Sequence, residues 1–244
     1  MRTKTLLIAS AVALTAAVTS TQAQTVYSQN IVGYVNQVFG TAGASYFVAA
    51  PLVGTNTQVE TLMSSALNSG DDILVWNGGG YDIHYYIGPG NGNPTGDDWD
   101  NASFTPEASP TVSPGQGFFY QSNSGNVETN TWTGTCVLSN QISFPTAGAS
   151  YAIGSSVPVG AQLENTNINL PLQSGDDVLV WNGGGYDIHY YIGPGNGNPT
   201  GEDWDNASFT AEPSPSISVG QAIFYQSNSG NTETWTQNDS YINP

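Results

Sequence analysis

The sequence predicts an all-β protein made of two tandem modules, each a β-sandwich or an open barrel. Three observations point there. Residues 71–105 recur as residues 176–210, with only Ile73/Val178 and Asp97/Glu202 exchanged, so the chain repeats at an offset of about 105 residues. Short β-branched and aromatic runs alternate with clusters of Gly, Pro, Asn and Asp, the pattern of strands joined by turns. Only residues 58–67 carry a helical pattern, and that stretch is short.

The repeat sets the organisation. "TAGASY" at Thr41 returns at Thr146, and "QSNSGN" at Gln121 returns at Gln226, both at the same offset. The modules are therefore residues 24–139 and 140–244. No Pro-rich or Gly/Ser linker divides them, and "TWTGTCVLSNQISF" reads as continuous β structure, so the modules are expected to abut. By contrast, residues 52–68 and 158–173 have drifted almost beyond alignment.

Taken in order, "IVGYVNQVF" from Ile31 and "YFVAAPL" from Tyr46 are strands rich in β-branched and aromatic residues. "ILVWN" from Ile73 is a short apolar strand, and Asn77-Gly78-Gly79-Gly80 is a turn. "YDIHYYI" then alternates. Tyr81, Ile83, Tyr85 and Ile87 point one way and Asp82, His84 and Tyr86 the other, which predicts a hairpin with one core face and one wet face. "SPGQGFFYQ" from Ser113 places Pro and Gly at the centre of a type II turn and leads into a strand through Phe118-Phe119-Tyr120. "VETNTWTGTCVL" from Val127 alternates again.

The N-terminus reads as a secretory signal. Arg2 and Lys4 precede an apolar run from Leu6 to Val18, and Thr21-Gln22-Ala23 supplies the small residues of a cleavage site after Ala23. The expected location is outside the cell, on its surface or in the periplasm. No later apolar run is long enough to span a membrane. Arg2 and Lys4 are the only basic residues among the 244, so the mature chain carries 19 Asp and Glu against no Lys or Arg. Its side-chain charge of −19 disfavours nucleic acid and anionic membrane surfaces as partners, because both are held through Lys and Arg. Divalent cations, neutral glycans and other surface proteins fit better, and self-association is open. The single Cys136 cannot form an intramolecular disulfide; it reads as a small buried hydrophobe, with an intermolecular bridge in an oxidising compartment as the alternative.

"NIVGYVN" at Asn30 resembles the opening motif of a family of uncharacterised secreted bacterial repeat proteins. The succession "SYFVAAPL", "DDILVWNGGGY", "SPGQGFFYQ" is similar to β-sandwich modules of bacterial surface proteins, which carry a Y-x-W-N-G hairpin and a P-G-Q-G-F-F strand. The second module departs from that pattern, with Val219-Gly220-Gln221-Ala222 where the first has Pro114-Gly115-Gln116-Gly117, and it lacks a clear N-I-V-G-Y strand. The resemblance implies an extracellular, non-catalytic module and supplies no catalytic residue.

Four groups of residues are candidates for chemistry. Asn91, Asn93, Asp97, Asp98 and Asp100, with Asn101 and interleaved glycines, recur as Asn196, Asn198, Glu202, Asp203 and Asp205, with Asn206. Such a loop offers the many oxygen ligands that Ca²⁺ takes, and it equally suits Asn, Asp and Gly serving turn geometry. Tyr86 and Trp99, with their copies Tyr191 and Trp204, are the aromatics expected to be exposed beside polar groups, as sugar binding would use; Trp76 and Tyr85 are expected in the core. His84 and His189 share a strand face with Asp82 and Asp187, an arrangement that could orient a general base, yet no G-x-S-x-G or comparable nucleophile motif accompanies them. Asp97, Asp98 and Asp100 could act as paired carboxylates of a glycoside hydrolase. Asn101, Asn206 and Asn238 each open an N-x-[ST] triplet. The expected function is a secreted, non-enzymatic structural or adhesive protein, with carbohydrate binding at one site per repeat as the alternative and hydrolysis as the second.

Overall fold

Strand-forming runs dominate because the apolar residues recur every second position, and a pleated strand sends such residues to one face. The computed structural model describes residues 32–238 except 41, 42, 55, 91–93, 138, 147, 196–200 and 229; the expected signal peptide lies outside them. In the first half the strands are β1 (Val32–Phe39), β2 (Ser45–Ala49), β3 (Asp72–Trp76), β4 (Tyr81–Tyr86), β5 (Trp99–Asn101), β6 (Pro106–Glu107), β7 (Gly117–Gln121) and β8 (Glu128–Thr135). The second half has β9 (Ser139–Phe144), β10 (Ser150–Gly154), β11 (Ala161–Gln162), β12 (Asp177–Trp181), β13 (Tyr186–Tyr191), β14 (Trp204–Asn206), β15 (Ala211–Glu212), β16 (Ser216–Ile217), β17 (Ala222–Gln226) and β18 (Glu233–Asn238).

Each half builds a six-stranded antiparallel sheet with the same topology, β2-β7-β3-β4-β5-β6 in the first and β10-β17-β12-β13-β14-β15 in the second. A two-stranded ribbon, β1 with β8 or β9 with β18, accompanies each sheet. Phe39 and Trp132 of the first ribbon share a buried cluster with Val48, Ile73 and Phe118 of its sheet, so each half is a sandwich-like module with a core of its own. Phe144 and Trp235 do the same against Val178 and Ile223. β9 takes the place of β1 although its sequence is unlike it. Phe144 pairs with Glu233 in the register that Phe39 has with Glu128.

The turns follow from their residues. Asn77 Oδ1 accepts from the backbone N–H of Gly79 (3.1 Å) and Gly80 (2.9 Å), and Gly78 sits at φ +96, in the left-handed region that glycine enters freely. The turn at Ser113 closes with Gln116 N–H to the Ser113 carbonyl at 2.9 Å, with Gly115 at φ +77, as a type II turn requires. The expected helix over 58–67 is shorter than its pattern. Only α1 (Val59–Leu62) is helical, with no side-chain cap, and the chain then turns to bury Met63 and Ala66. The second module has no helix among its described residues at that place, yet Leu163 N–H bonds the Pro215 carbonyl as Val59 N–H bonds that of Pro110. Drift in sequence has left the path of the chain in place.

One expectation is corrected. The β3–β4 hairpin does not have one wet face. Ile73 and Tyr86 belong to the module's own core, while Leu74, Trp76 and Tyr81 on the opposite face join Phe47 and Phe119 in a third cluster shared with Ala152, Ala222 and Phe224 of the other module. The two large sheets thus pack against each other, and the shared contacts are reciprocal. Trp76 Nε1–H donates to the Ser150 carbonyl (2.8 Å) and Trp181 Nε1–H to that of Ser45 (2.7 Å). Gly154 N–H bonds the Gly115 carbonyl (2.9 Å), and Ala49 N–H bonds that of Gly220 (3.0 Å). Trp76 meets Phe224 edge-on at 5.2 Å, and Trp181 meets Phe119 edge-on at 5.1 Å. Tyr81 and Tyr186, sequence equivalents, bring their hydroxyls to 3.5 Å. Contacts i to j′ matched by j to i′ define an isologous interface, here within one chain.

The sequence difference at P-G-Q-G has its reason in this seam. A Cβ on Gly117 would stand 2.8 Å from the Cβ of Ala222, its own equivalent in the other module, and 3.1 Å from backbone atoms of Ala152 and Ile153. A Cβ on Gly154 would come closer still to that of Ala49. At both places one module carries Gly and the other Ala, so that one methyl group fills the space where two would collide.

Candidate functional site

The aromatic residues expected to be exposed are not. β5 is an interior strand between β4 and β6, and Trp99 lies on the face turned to the module core, with no exposed surface. Its indole N–H donates to Glu60 Oε2 at 3.4 Å, and Trp204, equally buried, donates to Glu164 Oε2 at 2.8 Å. Tyr86 tilts onto Trp99 at 4.9 Å and Tyr191 onto Trp204 at 5.0 Å. Burial, reinforced by the nearby carboxylates Glu60 and Asp98, pushes the Tyr86 phenol up, and burial with Glu164 and Asp203 does the same to Tyr191. These four side chains pack against the module cores and offer no open indole face to a ligand.

The acidic loops lead into β5 and β14. Asp97 accepts from Thr95 Oγ1 at 2.6 Å. The backbone carbonyl of Asp98 accepts from Ile87 N–H (2.9 Å) and Gly88 N–H (3.3 Å), closing the base of the loop, and Asp203 repeats this with Ile192 and Gly193. Asp100 and Asp205 sit within strands, in register with Tyr85 and Tyr190. Asn91, Asn93, Asn196 and Asn198 lie outside the described residues. Among the described residues no three His, Cys, Asp or Glu side chains gather as a metal would require.

The histidines have partners other than those expected. His84 Nδ1 lies 2.5 Å from Glu107 Oε1 and His189 Nδ1 lies 2.6 Å from Glu212 Oε1, whereas Asp82 and Asp187 take the side-chain amides of Asn77 and Asn182. Glu107 comes from β6, two strands away across the sheet. No hydroxyl or thiol is hydrogen-bonded to either imidazole among the described residues.

A buried acidic cluster, not anticipated from sequence, sits between ribbon and sheet in each module. Asp71 accepts from the backbone N–H of Asn68 and Asn123, both at 2.8 Å, and from the Tyr120 hydroxyl at 2.9 Å. The same hydroxyl contacts Glu128, which also accepts from Ser122 Oγ at 3.0 Å. Asp176, Tyr225 and Glu233 repeat the arrangement. With no Lys or Arg among the described residues, backbone amides and hydroxyls carry the work that basic side chains do elsewhere. Desolvation raises the Asp71 carboxyl above its usual range and drives both phenols far up, and desolvation also raises Asp72 and Asp177.

Two features do face solvent. At the seam, a cleft of about 570 Å³ is walled by Trp76, Gln116 and Ile142, and its counterpart of about 640 Å³ by Trp181, Gln221 and Gln37. At the β5–β6 turn, Phe104 is 72% exposed and lies flat on Tyr85, centroids 5.0 Å apart and planes 9° apart. Phe209, 75% exposed, lies on Tyr190 at 5.2 Å and 7°. Both phenylalanines adopt φ +55. The turn is held by Asn101, whose Oδ1 accepts from Ser103 N–H (2.9 Å) and Thr105 N–H (3.2 Å), and Asn206 repeats both bonds. Tyr85 was expected in the core, and nothing in the local sequence marks Phe104; the available signal was that "NASFT" closes both copied blocks. Comparison with family models, with curated proteins and with solved structures gives no match to this chain.

Proposed function

We propose that the protein is a secreted, non-catalytic structural or adhesive component of the cell surface or extracellular matrix. The observation that carries this reading is the reciprocal seam, which turns two modules into one rigid double sandwich. The residue types from which chemistry could be built are engaged in holding it together. The imidazoles are bound to carboxylates, the buried carboxyls to amides and phenols, and the indoles to backbone carbonyls, glutamates or, for Trp132, the Gln37 amide oxygen. Once the expected signal is removed, a side-chain charge of −19 without Lys or Arg keeps such a body soluble and directs it toward neutral or cationic surroundings.

A calcium ion on each Gly/Asn/Asp loop stays within this proposal and rests on the oxygen-rich composition of residues 91–101 and 196–206. Its test is the melting temperature in millimolar Ca²⁺ against NaCl of equal ionic strength, since a ligand that binds only the native state raises it. An equal response to the two salts removes calcium from the account. The adhesive reading is tested by fractionating cells that express the full chain. The processed protein is expected in the surface-attached fraction; processed protein wholly free in the medium, or uncut protein inside, overturns it.

A further inference from the structure

We propose that the two stacked pairs, Phe104 on Tyr85 and Phe209 on Tyr190, are binding platforms for the sugar rings of a neutral glycan. The inference rests on the adhesive reading and names the surface and the ligand class for it.

The first ground is that the exposed rings are held where folding does not want them. A large apolar side chain gains nothing from standing 72–75% in water. A bulky residue at φ +55 is an outlier in a region that Gly, Asn or Asp enters far more readily. Either strain or exposure alone could be incidental; here both fall on one residue, and they do so twice. Backbone strain of this kind persists where the surroundings hold it, and the Asn101 and Asn206 side chains, each bonded to two backbone amides, hold it.

The second ground is geometry. Each Phe has one face against a Tyr at close to parallel planes, so the opposite face is the one presented outward as a flat apolar surface. Tyr85 is flanked in register by Asp72 on β3 and Asp100 on β5, and Tyr190 by Asp177 and Asp205. Directly opposed residues on a sheet face stand about 5 Å apart at Cβ. The platform therefore combines an aromatic face with neighbouring carboxylates. A pyranose ring has the matching surface: a face of C–H groups for the ring and hydroxyls that donate to carboxylates.

The third ground is charge. Phosphorylated, sulfated and uronic polymers would meet a chain that, after the expected signal cleavage, carries −19 and no Lys or Arg, so the glycan is neutral. A cation is the competing occupant, because it too is drawn to aromatic faces and carboxylates. Recognition of cations by rings uses a cage that encloses the charge, and here a single open face is presented at each site. Two sites on one rigid body also suit a polymer, which can engage both at once and gain in avidity.

The test is retention of the mature chain in native gels and on suspensions of neutral polysaccharides: cellulose, chitin, xylan, β-1,3-glucan and starch. The variants are F104A, F209A, the double F104A/F209A, and the double F104G/F209G. Wild type is expected to be retained by at least one polymer, with roughly tenfold weaker retention for each single variant and none for either double variant. F104G/F209G relieves the left-handed strain, so its melting temperature should equal or exceed that of wild type while binding is lost; this separates lost binding from lost folding. No retention of wild type by any of these polymers, or retention of the double variants equal to wild type, overturns the proposal. Phenylalanine-dependent capture on poly-lysine or immobilised choline, in place of the polysaccharides, also overturns it by assigning the platforms to cations. Surface attachment of wild type without glycan retention would remove the platforms while leaving the adhesive reading standing.

Discussion

Gly117→Ala is the sharpest test of the seam. The added methyl would stand 2.8 Å from the Cβ of Ala222 and 3.1 Å from the Ala152 carbonyl carbon and the Ile153 nitrogen. Two of those three neighbours are backbone and cannot swing away. Overpacking of this kind costs about 1–3 kcal/mol, which for a chain of this size lowers the melting temperature by roughly 2–10 °C. Ala222→Gly alone removes one buried methyl and adds backbone freedom to the unfolded chain, at a cost of about 1–2 kcal/mol. The informative variant is the double, G117A/A222G, which exchanges the two residues across the seam. Its methyl then occupies the space that Ala222 left, so its loss should fall well short of the sum of the two singles, with a coupling of about 1–2 kcal/mol. Urea denaturation of the four proteins measures this. Strictly additive losses would refute the claim that these positions meet across a reciprocal interface.

Other expectations follow from the same contacts. Asp71, Asp72 and Asp177 titrate above the usual carboxylate range because they are desolvated. A raised folded-state pKa gives stability that is fully present below the unfolded value, about 3.9, and is lost as pH rises through the folded value. Melting temperature should therefore fall as pH rises above about 4, the self-repulsion of a net charge of −17 acting in the same direction; a steady rise there would contradict it. Trp204→Phe shrinks a fully buried ring and should cost about 1–3 kcal/mol in lost packing, the exposed Glu164 exchanging its indole donor for water, while retention on polysaccharide stays unchanged. Loss of retention without loss of stability would return Trp204 to the ligand site. Asn77→Ala removes acceptors for two turn amides and should destabilise by about 1 kcal/mol in a thermal melt, with the Asn182 variant matching it.

What could be read from the sequence was local. Asn77 followed by three glycines encodes its turn because the side-chain acceptor and the left-handed glycine are neighbours in the chain. Ser113-Pro114-Gly115-Gln116 does the same. The alternation in β4 was legible, but its consequence was not. Leu74, Trp76 and Tyr81 look like an outer face until a second sheet is placed over them, and that sheet lies about a hundred residues away in sequence. Trp99 misled because it sits among carboxylates and glycines; the strand it belongs to has three residues, too few for an alternation to show which way the indole points. Glu107 was missed as the partner of His84 because the two lie on strands separated by β5 and meet only when the sheet forms. The Gly117/Ala222 difference was visible as a departure from the repeat, and only packing gives it meaning. The copied stretch itself now divides into parts with separate reasons. Leu74, Trp76 and Tyr81 join the modules, Tyr86 and Trp99 pack each module, and Asn101 to Thr105 displays a phenylalanine.

The central claim is that the copied hairpins weld two modules into one folding body. Scanning calorimetry of residues 24–244 tests it most directly. One body predicts a single transition whose calorimetric enthalpy equals its van't Hoff enthalpy. Two resolved transitions, or one transition with a calorimetric enthalpy about twice the van't Hoff value, as two independent modules would give, would contradict it.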